Sequence, residues 1–217
     1  MIRFGKIAYL NLLPFDIFLK RSSLPQIVKQ SIAWHHDVPS RINARFRSRR
    51  IDAAFISSIA SRRYTGTKTG IIARRAVKSV ILIPNTPPSQ DPASETSNAL
   101  ARYLGLEGRV IIGDAALRYA LSGAPYLDLG QLWHDKTGLP FVFARLCYHG
   151  RASTYKKLAH RFTRTPMKIP RYILHDQARK RGIASHDILS YLALIDYRLD
   201  AHAHKGLKRF LSVTKTR

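Results

Sequence analysis

Three observations predict an α/β protein of two lobes, the second inserted into the first, with a cleft between them. Apolar, β-branched runs alternate with helical patterns from the N-terminus onward. A Pro-rich stretch interrupts them: Pro84, Pro87, Pro88 and Pro92 lie among Asn, Thr, Ser and Gln, a composition that suits neither helix nor central strand. A long apolar strand, Phe141–Tyr148, then leads back towards a chiefly helical C-terminal third. The expected division is residues 1–83 with 149–217 in lobe 1 and residues 84–148 in lobe 2. A cleft between lobes is a favoured place for a small ligand.

The first strand is the run Gly5-Lys6-Ile7-Ala8-Tyr9-Leu10, which stops at Asn11 and is followed by Pro14 and a helix over 15–20. Ligands in open α/β sheets bind past the carboxyl ends of strands. Asn11 would stand there with an amide that both donates and accepts, although Asn is equally common as a turn residue. A second strand is expected over 31–35. Val38-Pro39-Ser40 then starts a helix with Ser40 as candidate N-cap. That helix runs to about Arg50, with Arg41, Arg45 and Arg49 on a solvated face and Ile42 and Phe46 turned to the core.

Residues 51–56 form the next strand, which empties into Ser57-Ser58, and residues 77–83 form a long β-branched one. After the Pro-rich linker, a helix over Glu95–Leu104 follows Ser94 and carries Thr96 and Ser97 in its first turn. Such an end suits a carboxylate or phosphate; ordinary capping by Ser94 accounts for it equally well. Arg109–Ile112 reads as a strand stopping at Gly113-Asp114, with a helix through Leu121. Residues 126–129 read as a short strand and 131–136 as a helix. Phe141–Tyr148 could pair with the strand over 77–83. In the C-terminal third, Ile183, Ile188, Leu189, Leu192 and Ile195 form one core-facing stripe and Leu207, Phe210 and Leu211 another.

Composition excludes several function classes. The chain has 217 residues, 45% of them apolar, and no run near the roughly 18 residues of a membrane span. The N-terminal residues lead straight into the first strand with no apolar h-region or cleavage site, so a cytoplasmic protein is expected. A single cysteine, Cys147, rules out an internal disulfide and a Cys-based zinc cage, and lies in a core-like run. His202 and His204 diverge by about 200° on a helix and could not share a metal. Gly66, Lys68 and Gly70 make no P-loop, and no Gly-x-Ser-x-Gly elbow exists. The 37 Lys and Arg against 13 Asp and Glu leave +24, a field that attracts polyanions and steers small dianions alike. The charge is spread over many elements without a zinc-finger or ribonucleoprotein signature, so nucleic acid is not the expected partner.

Several ordered motifs carry a resemblance. They are Tyr9-Leu10-Asn11 with Pro14, Val38-Pro39-Ser40 with Asn43, Asp52-Ala53-Ala54-Phe55-Ile56-Ser57-Ser58-Ile59, Val77-Lys78-Ser79-Val80 and Ile111-Ile112-Gly113-Asp114-Ala115-Ala116-Leu117. Asp128-Leu129-Gly130, Trp133, the run from Thr137 to Ala144, Asp196-Tyr197-Arg198-Leu199 and Lys205-Gly206-Leu207 follow in order. Together they resemble the MqnA family, the chorismate dehydratases of the futalosine route to menaquinone. The resemblance implies a periplasmic-binding-protein-like fold of type II, used as an enzyme that removes water from chorismate to give 3-[(1-carboxyvinyl)oxy]benzoate. It implies no metal and no organic cofactor. Carried over by motif, Asn11 and Ser79 are nearest the chemistry, and Ser57, Ser58, Ser94, Thr96 and Ser97 hold the substrate. Gly113, Asp114, Leu139 and Pro140 are further binding candidates.

The chain departs from the family pattern at Ala60-Ser61, where an acidic and an aromatic residue are usual, and at Glu95, where a basic one is common. The sister enzyme, 1,4-dihydroxy-6-naphthoate synthase, typically opens with a Ser-Pro-Cys-Pro-Asn-Asp type of motif, absent here. A non-catalytic small-anion-binding protein of this fold would normally be exported.

Overall fold

A computed structural model describes residues 3–21 and 35–214. The strand expected over 31–35 lies almost wholly outside them. The N-terminal segment is extended but narrower than a full strand. Phe4 bridges in parallel to Ala53 and Lys6 to His36, with Gly5 N–H donating to the Ala53 carbonyl at 2.8 Å. It then tightens into one 3-10 turn, Leu10–Leu12, and continues as α1 (Leu13–Arg21). Phe15 of α1 is the centre of an aromatic cluster, meeting Phe4, Phe55 and Phe162 at centroid distances of 5.6, 5.0 and 4.9 Å.

Helix α2 (Pro39–Arg47) buries Ile42 and Phe46; its cap position is Val38 and not Ser40, because Pro39 already stands in the first turn. Strand β1 (Ala53–Ser57) is buried at every residue, and the short α3 (Ser58–Ser61) follows at once. Strand β2 (Gly66–Ala73) was not foreseen, since Gly66, Lys68 and Gly70 break its apolar pattern. The strand expected over 77–83 shortens to β3 (Val80–Ile83). The fold continues with α4 (Glu95–Leu104), β4 (Arg109–Ile112), α5 (Gly113–Leu121), β5 (Leu127–Asp128), α6 (Leu129–Thr137) and β6 (Phe141–Tyr148). Helices α7 (Ala152–Arg164), α8 (Arg171–Arg181) and α9 (Ser185–Leu192), strand β7 (Ile195–Arg198) and helix α10 (Ala201–Val213) complete the chain.

The strands form two antiparallel sheets, ordered β1-β6-β2-β7 and β4-β3-β5. Strand β6 therefore pairs with β1 and β2. It cannot pair with β3, whose two edges are occupied by β4 and β5. The chain passes between sheets at residues 74–79 and again before Phe141, whereas the sequence pointed to 84 and 148. The Pro-rich stretch stays with the second sheet, where Ser89 bridges to Arg109. Residues 195–198, expected as helix, pair with β2. Leu189 leaves the expected core stripe and is 48% exposed. Cys147 is fully buried. No described helix is long and apolar enough to cross a membrane.

Candidate active site

The connections between the sheets and the N-terminal 3-10 turn converge on one cavity of about 60 Å³. Asn11, Ser57, Ser79, Ser94, Ser97 and Gly113 line it, beside apolar walls that include Leu12, Phe55, Ile71 and Phe143.

Asn11 is held by its backbone, whose carbonyl accepts the Tyr197 hydroxyl at 2.6 Å. Its side-chain Oδ1 is buried and has no hydrogen-bond partner among the described residues. The turn that carries it is clamped from behind. Asp114 accepts Leu10 N–H at 3.1 Å and the Arg181 guanidinium at 2.5 Å, and Arg181 also donates to the Ala8 carbonyl at 2.8 Å.

Ser79 ends a tight turn in which its N–H donates to the Val77 carbonyl at 2.7 Å. Lys78, between them, has φ +57°, a conformation that costs a side-chain-bearing residue roughly 1 kcal/mol or more. Asp128 holds the turn in place: one carboxylate oxygen accepts Val77 and Lys78 N–H at 2.9 and 2.7 Å. Its other oxygen caps α6 through Gly130 and Gln131 N–H. The Ser79 carbonyl accepts Gly113 N–H at 2.8 Å, and its Oγ meets the Tyr191 hydroxyl at 2.9 Å.

Ser57 is gripped by Asn43, which donates to its Oγ at 2.8 Å and accepts its N–H at 3.3 Å. Ser94 caps α4 by accepting Ser97 N–H, and the two hydroxyls lie 2.8 Å apart. Gly113 has φ +67°, and a Cβ there would fall 2.7 Å from the Tyr9 ring, so the glycine makes room for the tyrosine. Burial, reinforced by the charges of Asp91 and Asp114, pushes the Tyr9 phenol up to about 12, and it stays neutral near pH 7. Among the described residues, no Asp, Glu, His, Lys or Arg lines this cavity.

A sequence model of a family described as "Menaquinone biosynthesis" matches residues 91–216. A protein of Campylobacter jejuni subsp. jejuni serotype O:23/36 (strain 81-176), named chorismate dehydratase, is 44% identical over 216 residues, covering 98% of this chain and 97% of that one. The chain belongs to the chorismate dehydratase family of menaquinone biosynthesis. Its fold is also that of solved structures at low identity. A protein from Archaeoglobus fulgidus matches with TM-score 0.62 and 12% identity, over 99% of this chain and 96% of that one. The periplasmic aliphatic sulphonate binding protein of Escherichia coli matches with TM-score 0.58 and 13% identity, over 99% and 91%. The α/β fold of this chorismate dehydratase family member is thus periplasmic-binding-protein-like, type II.

Five of the family-derived site residues do not line the cavity. Ser58 is fully buried and donates to the Val142 carbonyl. Thr96 accepts Ile59 N–H at 3.2 Å, tying α4 to α3. Asp114 serves the clamp on Leu10. Leu139 and Pro140 pack against Gly206 of α10. Asn43, Asp128, Tyr191, Tyr197 and Arg181 hold the lining residues or the segments that carry them, a role the sequence pattern does not point to. Asn43, Asp128 and Tyr197 do stand within the family motifs; Tyr191 and Arg181 have no local signal. A wider basin of about 1080 Å³, lined by Lys68, Arg145, Lys156, Arg164 and Arg198 among others, contains none of the candidate site residues.

Proposed function

We propose that this chain is a hydro-lyase that converts chorismate to 3-[(1-carboxyvinyl)oxy]benzoate, with the substrate's own enolpyruvyl carboxylate as the base. The reaction removes the proton on the ring carbon bearing the ether and expels the neighbouring hydroxyl, so that one water leaves and the ring becomes aromatic. A general base must reach that proton within hydrogen-bonding distance. The observation that carries the reading is the absence of any such base among the described cavity residues. Glu95 is exposed, Asp114 is engaged behind the wall, and the Tyr9 phenol stays protonated.

What the cavity offers instead are neutral, preorganised dipoles. Asn11 and Ser79 orient the carboxylate and stabilise charge developing in the ring, an effect worth roughly a hundredfold to a thousandfold in turnover per donor. Ser57, Ser94 and Ser97 supply further hydroxyls for the substrate's oxygens. At about 60 Å³ the cavity is several times smaller than the roughly 300 Å³ at which ligand sites usually begin. The two sheets must therefore part to admit chorismate and close again over it.

Purified protein incubated with chorismate and followed for the aromatic product tests this directly. Asn11→Ala should cut turnover about a hundredfold or more, while Glu95→Gln keeps most of it. Binding of chorismate without turnover by the unmodified protein would make it a binding protein instead. A Glu95→Gln variant that is folded, binds chorismate and is inactive would assign the base to the enzyme.

A further inference from the structure

The role given to Ser79 depends on where its single hydroxyl hydrogen points. The Tyr191 hydroxyl lies 2.9 Å from Ser79 Oγ. Tyr191 is on α9, 112 residues further along the chain, and is 2% exposed. Either hydroxyl could donate across that distance. If the serine donated, the phenol O–H would be left in the core with no acceptor among the described residues, which is costly for a buried donor. The phenol is also the stronger acid of the two. Burial pushes its pKa upward, so it keeps the proton it donates.

With its oxygen accepting from Tyr191 and its backbone fixed by Asp128 and Gly113, Ser79 has one free hydrogen and one open direction, the cavity. We propose that Tyr191 is a positioning residue for the dehydration: by donating to Ser79 Oγ it reserves the serine's own O–H for the substrate. A second, partly buried phenol from the same part of the chain, Tyr197, holds the carbonyl of Asn11. The inference rests on the reading of Ser79 given above.

The test is a double-mutant cycle with chorismate as substrate, measuring kcat, KM and melting temperature for Tyr191→Phe, Ser79→Ala and the pair. Tyr191→Phe should lower kcat roughly fivefold to twentyfold, leave KM within about twofold and leave the fold intact. Ser79→Ala should lower kcat roughly a hundredfold. In the Ser79→Ala background, Tyr191→Phe should change nothing further, because the residues act through one contact. The double variant has no orphaned hydroxyl, so it reads out the cycle even if Tyr191→Phe alone is less stable. Wild-type turnover in Tyr191→Phe beside an impaired Ser79→Ala would overturn the inference. So would losses that simply multiply in the double variant, which mark a general structural role. An unimpaired Ser79→Ala would instead overturn the reading of Ser79 itself.

Discussion

Arg181 Nε lies 2.5 Å from Asp114 Oδ2, and the two side chains are only 16% and 18% exposed. The pair joins the end of α8 to the first turn of α5, while the carboxylate's other oxygen holds the turn that carries Asn11. Removing one partner of a largely buried pair leaves the other charge without compensation. Asp114→Ala should therefore lose about 3 kcal/mol of stability and about tenfold or more in turnover. Asp114→Asn should do less harm, because its amide oxygen can still accept Leu10 N–H. Urea denaturation alongside the product assay checks both, and a folded but inactive Asp114→Asn would instead point to a direct chemical role.

Gly113 and Gly182 form a natural comparison. Both have left-handed backbone, at φ +67° and +63°, but a Cβ at Gly182 meets nothing within 4 Å, whereas at Gly113 it meets the Tyr9 ring. Alanine at either site should cost about 1 kcal/mol from backbone strain. Only Gly113→Ala should also push Tyr9 into the cavity and weaken chorismate binding, by about tenfold or more. Equal binding by the two variants would argue against this placement of Tyr9.

Asp128 satisfies four backbone N–H groups with two oxygens. Asn offers a single acceptor oxygen, so Asp128→Asn strands two of those donors at about 1–3 kcal/mol each. The variant should melt lower and turn over more slowly, since the strained turn at Lys78 is what presents Ser79. A variant with lowered stability but unchanged kcat would show that the turn holds its shape without the carboxylate.

The protein should lose stability in alkali. Burial raises the Cys147 thiol from an ordinary 9.0 to about 12 and the Tyr155 phenol from 10.0 to about 12. Between the ordinary and the raised values the unfolded chain releases a proton that the folded chain keeps, so stability is intact below about pH 9 and declines above it. The slope approaches about 1.4 kcal/mol per pH unit for each such group. Melting curves from pH 7 to 10.5 should show the decline, and Cys147→Ala should make it shallower between pH 9 and 10.

Small-angle scattering tests the opening of the cleft. The unliganded protein should have a larger radius of gyration than the complex with an unreactive product analogue. Identical values would mean that substrate reaches the cavity by some smaller movement.

The alternation of elements and the cavity residues Asn11 and Ser57 are legible because both depend on short-range pattern, although Asn11 lies in a 3-10 turn and not at a strand end. The boundaries between sheets are not. Pro84 to Pro92 reads as a linker by composition, but which sheet β6 joins is decided by edges that β4 and β5 already occupy. Ser57 and Ser58 look interchangeable as letters. One faces the cavity because it ends β1, while the other starts α3 and turns to the Val142 carbonyl. Strand β7 is only four residues long, and its first residue, Ile195, fits the helical stripe that begins at Ile183. Tyr191 could not be found, since its importance lies in meeting a residue 112 positions away.

The Tyr197–Asn11 contact also orders events during synthesis. The two residues are 186 positions apart, and Arg181 is 173 from Ala8. At the roughly 5–20 residues per second of a translating ribosome, Asn11 precedes its supports by on the order of ten seconds or more. During that interval the nascent chain holds the apolar N-terminal segment, with Phe4, Phe15 and Phe18, but not the α7–β7 region that completes its packing. A ribosome stalled before residue 181 would carry a chain that still lacks Arg181 and Tyr197, the two side chains that hold the segment bearing Asn11 from the C-terminal third.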